Sequence, residues 1–154
     1  MFGMKNITKP TGCTNLKLRQ LTRVVTRHYD HYVTETGLKS TQYALLTYVV
    51  KVGPVQPGDL ARHMKMDAST LTRNLQPLTA QGYLELRAGK DARSRLVDAT
   101  TEGRVKQAEA QRAWKAAQVA LNKRLGDERV AALHDLLDGC IACLDETPSG
   151  EISH

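Results

Sequence analysis

Along most of the chain the apolar residues recur at steps of three and four, but between Tyr83 and Ala99 they alternate, and that single change of period most restricts the fold. Tyr83, Leu84, Glu85, Leu86 and Arg87 read as one short strand, and Arg95, Leu96, Val97, Asp98 and Ala99 as another. The polar stretch Ala88 to Ser94 joins them as a charged tip, so the pair is a hairpin with little apolar surface of its own to bury. The expected fold class is mainly α, with a small β-hairpin wing.

Helical spacing accounts for the flanks. Leu18, Leu21, Val25 and Tyr32, with His28 filling the gap, mark a long first helix from about Asn15 that ends near Gly37. Ser40 offers an N-cap to a second apolar run, Tyr43, Leu45, Leu46, Val49 and Val50, which stops at Gly53-Pro54. Pro57 suits the first turn of a short third helix carrying Leu60, Ala61 and Met64. Asp67 can cap a fourth helix over 68–81, with Leu71, Leu75 and Leu78 on its buried side and Gly82 as its end. After the hairpin, Thr100 or Thr101 can cap a long Ala-rich helix over 102–125 that Gly126 closes, and Asp127 is placed to cap the last. In that helix Val130, Leu133, Leu137, Cys140 and Leu144 form a narrow apolar stripe of the kind that packs along another helix. The residues after Glu146 read as a frayed tail.

A chain of 154 residues fits one domain, and 41% hydrophobic with 25% charged residues describes a soluble globular protein. No stretch approaches the roughly 18 uninterrupted apolar residues of a spanning helix, and Met1 to Gly12 lacks the apolar core of a secretory signal, so a cytoplasmic location without a membrane partner is expected. Three cysteines cannot all pair within one chain, which speaks against a disulfide framework. The net charge is +6, and it is unevenly spread: residues 127–154 hold one Arg against seven acidic residues, leaving the basic excess upstream.

That basic excess includes two elements suited to duplex DNA. A short helix, a tight turn and a second helix with a small, polar outer face match a major groove about 12 Å wide. Away from Leu71, Leu75 and Leu78 lie Ser69, Thr70, Thr72, Arg73, Asn74 and Gln76. Arg can donate twice to guanine, Asn or Gln can pair with adenine, and hydroxyls serve phosphates. Any surface helix shows polar residues, so this face alone leaves a solvated reading open. The hairpin tip adds Arg87, Lys90, Arg93 and Arg95 around Asp91, which can steer Arg93 or Arg95 through a charge-assisted bond. Such a tip is either solvated or set against phosphate and a narrow minor groove. The order as a whole is that of a winged helix-turn-helix.

Three stretches carry a closer likeness. Ala68-Ser-Thr-Leu-Thr-Arg-Asn-Leu, Gln81-Gly-Tyr-Leu, and Asp91-Ala-Arg-Ser-Arg-Leu followed by Thr100-Thr-Glu-Gly resemble the recognition helix, the helix-to-wing junction and the wing of the MarR family of regulators, over roughly Leu16 to Leu144. The resemblance implies Arg93 as the minor-groove arginine, and Ser69, Thr70, Thr72 and Arg73 facing the major groove. It also implies a homodimer in which helices over 14–37 and 102–146 interlock while 40–100 forms the DNA-binding region. The target would be a palindromic double-stranded operator, and regulators of this type are commonly repressors. One departure is Pro77, whose missing N–H and ring should kink or loosen the turn before it and disturb Gln76.

What such a regulator senses is left open by the residues. Relatives by resemblance answer to a small phenolic or lipophilic molecule, to thiol oxidation or to a metal or metalloid. Cys13, Cys140 and Cys143 are the candidate sensing thiols, with Cys13 the most reactive by position; the alternative is that Cys140 is a small apolar residue of the stripe. Tyr29, Tyr32, Tyr43 and Trp114 are candidate walls of an aromatic ligand pocket, or ordinary core. The five histidines show no ligand spacing, so no metal and no cofactor is expected. The chain has no phosphate-cradling glycine loop and no nucleophile elbow, which excludes the common enzyme classes. A winged helix serving as a protein-protein interaction module is the other reading, and it should expose apolar anchors where this chain places hydroxyls, amides and Arg73.

Overall fold

A computed structural model describes residues 9–91 and 93–145. The order is α1 (Thr14–Val33), a 3-10 turn (Thr34–Thr36), α2 (Ser40–Val52), α3 (Pro57–Met64), α4 (Ala68–Ala80), β1 (Leu84–Ala88), β2 (Arg95–Ala99), α5 (Thr101–Leu125) and α6 (Asp127–Leu144). Four helices, a hairpin and two helices therefore follow one another as the periodicity predicts. The expected tail beyond Glu146 lies outside the described residues, as does Ala92 at the wing tip. Among the described residues no helix is long and apolar enough to cross a membrane.

Most boundaries are set by local chemistry. The Asp67 carboxylate accepts the Thr70 N–H at 2.7 Å and starts α4, and the Thr100 hydroxyl accepts the Gly103 N–H at 2.9 Å and starts α5. Two expected caps are corrected. The extended residue before α2 is Lys39, and the N–H of Ser40 is instead satisfied at 2.7 Å by Asp30, a residue of α1. Asp127 is already helical; Gly126, at φ 87°, donates back to Asn122 to close α5 and accepts from Val130 to open α6, leaving no place for a separate cap. α4 runs through Pro77 to Ala80.

The strands pair antiparallel from Leu84 opposite Ala99 to Ala88 opposite Arg95. The first begins one residue later than the alternation predicts, because Tyr83 has its N–H on the Leu78 carbonyl and its own carbonyl on the Thr100 N–H. Outside the hairpin, Val55 exchanges both backbone hydrogen bonds with Val97, fastening the α2–α3 connection to the wing.

The buried core is concentrated in the middle of the chain. Leu38, Leu45, Leu46, Val49, Leu60, Leu71, Leu78, Leu84 and Val97 are closed from solvent and pack as one cluster. By contrast the only buried residue of α1 is Val33, and of α6 it is Val130. Leu16, Leu18, Leu21 and Val24 of α1, and Leu136, Ile141 and Leu144 of α6, are exposed, Leu144 by 81%.

Candidate nucleic-acid interface

The α3–α4 turn is built to present the start of α4. Lys65 adopts the left-handed conformation at φ 55°, and Met66 donates to the Ala61 carbonyl at 2.9 Å, which closes α3 in a single residue. Burial of Leu71 and Leu78, with Leu75 half-buried, then turns Ser69, Thr72, Arg73 and Gln76 to solvent. Arg73 makes no hydrogen bond or ion pair among the described residues, and its exposed guanidinium acts on Asp67 only through its charge. The hydroxyl of Ser69 donates to Asp67 at 2.8 Å and that of Thr72 to the Ala68 carbonyl at 2.9 Å, which orients both on the first turn. The Thr70 N–H, the Ser69 and Thr70 hydroxyls, and the nearby Arg73 charge hold Asp67 down to about 2.

Asn74 differs from its neighbours. It is half-buried, and its amide Nδ2 donates to the Met66 sulfur at 3.6 Å, so it braces the turn from behind. Pro77 leaves Gln76 exposed on a continuing helix.

On the wing, Lys90, Arg93 and Arg95 are exposed and make no ion pair among the described residues. The expected bond from Asp91 to Arg93 or Arg95 is absent there. Asp91 is engaged through its backbone, its carbonyl accepting the Ser94 N–H at 3.1 Å while the Ser94 hydroxyl lies 3.2 Å from both its N–H and its carbonyl. Gly89 donates to the Ser94 carbonyl at 2.7 Å, so these bonds join the two sides of the wing beside the exposed Lys90, Arg93 and Arg95.

Arg87 does not belong with that outward set. Its Nε reaches Glu85 at 2.7 Å and its Nη1 reaches Asp98 at 3.3 Å, and these two carboxylates hold its pKa above the usual arginine value. Asp98, which the alternation shows only as a strand residue, is the one charged residue buried among those described, at 4% exposure.

The remaining candidates fall into separate places. Tyr29 and Tyr43 both stack near Trp114, with ring centroids 6.3 and 5.9 Å away, and the Tyr29 hydroxyl donates to Gln118. Burial pushes the Tyr29 phenol up. Tyr32 is apart from them, packed 5.3 Å from His28 in an open groove of about 850 Å³ between α1 and α5. Cys13 caps α1, its sulfur accepting the Leu16 N–H at 3.4 Å, and it is exposed. Cys140 and Cys143 are exposed together on α6; in a single protomer Cys140 is not covered as a stripe residue. Among the described residues no group of three or more His, Cys, Asp or Glu is placed to hold a metal ion.

A MarR family profile matches residues 36–94. A Bacillus subtilis (strain 168) protein, the uncharacterized HTH-type transcriptional regulator YwoH, is 27% identical over 90 residues, which is 58% of this chain and 66% of that relative, just under two thirds of its length. The M. tuberculosis transcriptional regulator MosR, solved in complex with DNA, superposes with a TM-score of 0.73 at 25% identity, covering 87% of this chain and 100% of that one. A mutant E. coli MarR complexed with operator DNA shares the fold, with a TM-score of 0.74 at 22% identity over 82% of this chain and 92% of that one.

Proposed function

We propose that this chain is a winged helix-turn-helix regulator of the MarR type, binding DNA as a homodimer on a palindromic operator. The observation that carries the reading is the pairing of two exposed polar surfaces on one packed core: the first turns of α4, with Arg73 free of ion pairs among the described residues, and a wing bearing Lys90, Arg93 and Arg95. In this assignment Ser69, Thr70, Thr72, Arg73 and Gln76 face the major groove, Arg93 enters the minor groove, and Lys90 and Arg95 meet phosphates. Asn74 braces the turn from behind, and Arg87, though exposed, is held by Glu85 and Asp98. The apolar anchors that a protein-interaction module needs are missing from α4, since the exposed large hydrophobic residues lie mainly on α1, α5 and α6.

Dimerisation accounts for those helices. Leu16, Leu18, Leu21 and Val24 on α1 and Leu136, Ile141 and Leu144 on α6 form apolar faces that one protomer leaves bare, and a second copy would cover them. The proposed division is 40–100 for DNA and the helices within 14–37 and 102–146 for pairing. A small molecule beside Tyr29, Tyr43 and Trp114, or oxidant or a thiophilic metal acting at exposed Cys13, Cys140 or Cys143, would then release a cytoplasmic repressor from its operator. Selection of genomic duplex fragments on the purified full chain, followed by a salt titration, tests the reading. Enrichment of a palindrome with binding that weakens steeply as salt rises is expected; a monomer indifferent to duplex DNA at low ionic strength would overturn it.

A further inference from the structure

β1 and β2 set two acids directly across from each other, Glu85 opposite Asp98. Like charges at such a position repel, and Asp98 is in addition nearly closed from solvent. The arrangement is stable because two arginines divide the carboxylates between them. Arg87 bridges Glu85 at 2.7 Å and Asp98 Oδ2 at 3.3 Å, while Arg104, from the first turn of α5, lies 3.5 Å from Asp98 Oδ1. The same Oδ1 accepts the Ala99 N–H at 2.9 Å. Gly53 completes the enclosure: a Cβ there would come within 2.9 Å of Asp98 Oδ1, so the missing side chain is what lets the α2–α3 connection close over the carboxylate. Three separate parts of the fold, the wing, α5 and the turn after α2, thus converge on one side chain.

We infer that Asp98 is a positioning residue for the wing: Arg87 ties it to β1 within the hairpin and Arg104 ties it to α5, so that together they fix the angle of the hairpin against α5 and deliver Arg93 to DNA. The cluster of Glu85, Arg87, Asp98 and Arg104 is electrically neutral, so Arg87 belongs to the support of the wing and not to its phosphate contacts. The base of the hairpin is anchored by buried Leu84 and Val97 and by the Val55 bridge, and the buried, paired carboxylate adds to these a polar restraint directed at α5. The inference rests on the DNA-binding reading above and adds to it a residue that touches no DNA.

Asp98→Asn keeps the shape and removes the charge, and Arg104→Met breaks the tie from the other side at a half-exposed position that tolerates change. Affinity for a selected operator is measured for each, alone and combined with Arg93→Ala or Arg73→Ala, and amide hydrogen exchange is followed in the same proteins. Asp98→Asn is expected to weaken binding roughly three- to thirtyfold. The loss should largely disappear in the Arg93→Ala background and persist in full beside Arg73→Ala, because only the wing acts through Asp98. A general loss of structure would be additive with both. Exchange should rise in β1 and β2 while α4 stays protected. Wild-type affinity in both variants, or equal losses in the two backgrounds, overturns the inference. Should the wild-type protein ignore duplex DNA, the functional reading falls by itself, and unchanged exchange across β1 and β2 would then reject the wing anchor.

Discussion

Gly103 lies so close to Tyr83 that a Cβ on it would sit 2.0 Å from the Tyr83 carbonyl oxygen. The first turn of α5 is pressed against the backbone at the helix-to-wing junction, and the Thr100 hydroxyl seals the contact on the Gly82 carbonyl. This gives a physical reason for glycine in the Thr100-Thr-Glu-Gly segment: any side chain would push α5 off the wing.

Gly103→Ala should therefore destabilise the protein by about 1–3 kcal/mol through overpacking. A lowered urea midpoint with an unchanged slope is the expected result. A wild-type midpoint would mean that the junction yields without cost.

The parts of this molecule legible in the sequence are those determined within one helical turn or one strand. Asp67 as the cap of α4, Thr100 as the cap of α5, and the outward Ser69, Thr72 and Arg73 all follow from neighbours three or four residues away. What stayed hidden depends on partners distant in the chain. Ser40 loses its capping role to Asp30 of α1, and Asn74 turns toward Met66 although helical spacing places it on the outer face. Arg87 is one more basic residue in the sequence; only the register that sets Glu85 beside Asp98, and the approach of Arg104, show that its charge is already matched.

Asp67 yields a pH prediction. Its folded pKa of about 2 lies below the ~3.9 of an unfolded aspartate, so its contribution to stability is complete above the unfolded value and fades as pH falls through the folded one. Asp67→Ala should lower the melting temperature by a few degrees near neutrality. Between about pH 4 and pH 2 the difference from wild type should shrink. A gap independent of pH would show that the carboxylate charge has no part in the cap.

Arg73→Ala tests base reading. Among the described residues Arg73 makes no hydrogen bond or ion pair and acts on Asp67 only through its charge, so truncation should remove chiefly DNA contacts, and discrimination at one base pair should drop by about 1–3 kcal/mol with little change in the fold. Affinities for the operator and for single-base variants decide it. Equal losses on operator and random duplex would make Arg73 a phosphate contact.

Arg93→Ala tests the wing. Removing one basic contact should weaken binding and reduce the slope of log affinity against log salt by about 1. Arg87→Ala should instead resemble Asp98→Asn, losing affinity with little further effect once Arg93 is gone. If Arg87→Ala lowered the salt slope as Arg93→Ala does, its ion pairs would have to open on DNA.

The apolar faces of α1 and α6 make the last prediction. In one protomer Leu136 is 67% and Leu144 81% exposed, and they share the last turns of α6 with Ile141. A charge placed there meets only water if the chain is a monomer, and should then change neither solubility nor binding. In a dimer it would be buried without a partner, a cost that association must bear. Leu136→Asp should therefore raise the dimer dissociation constant by roughly tenfold or more, measured by sedimentation equilibrium. Operator binding should weaken in parallel and recover at high protein concentration, since two half-sites need two linked readers. Leu86→Asp, at an exposed position on the wing, serves as the control that leaves association unchanged. Full dimerisation of the Leu136→Asp protein would move the pairing surface away from this end of α6.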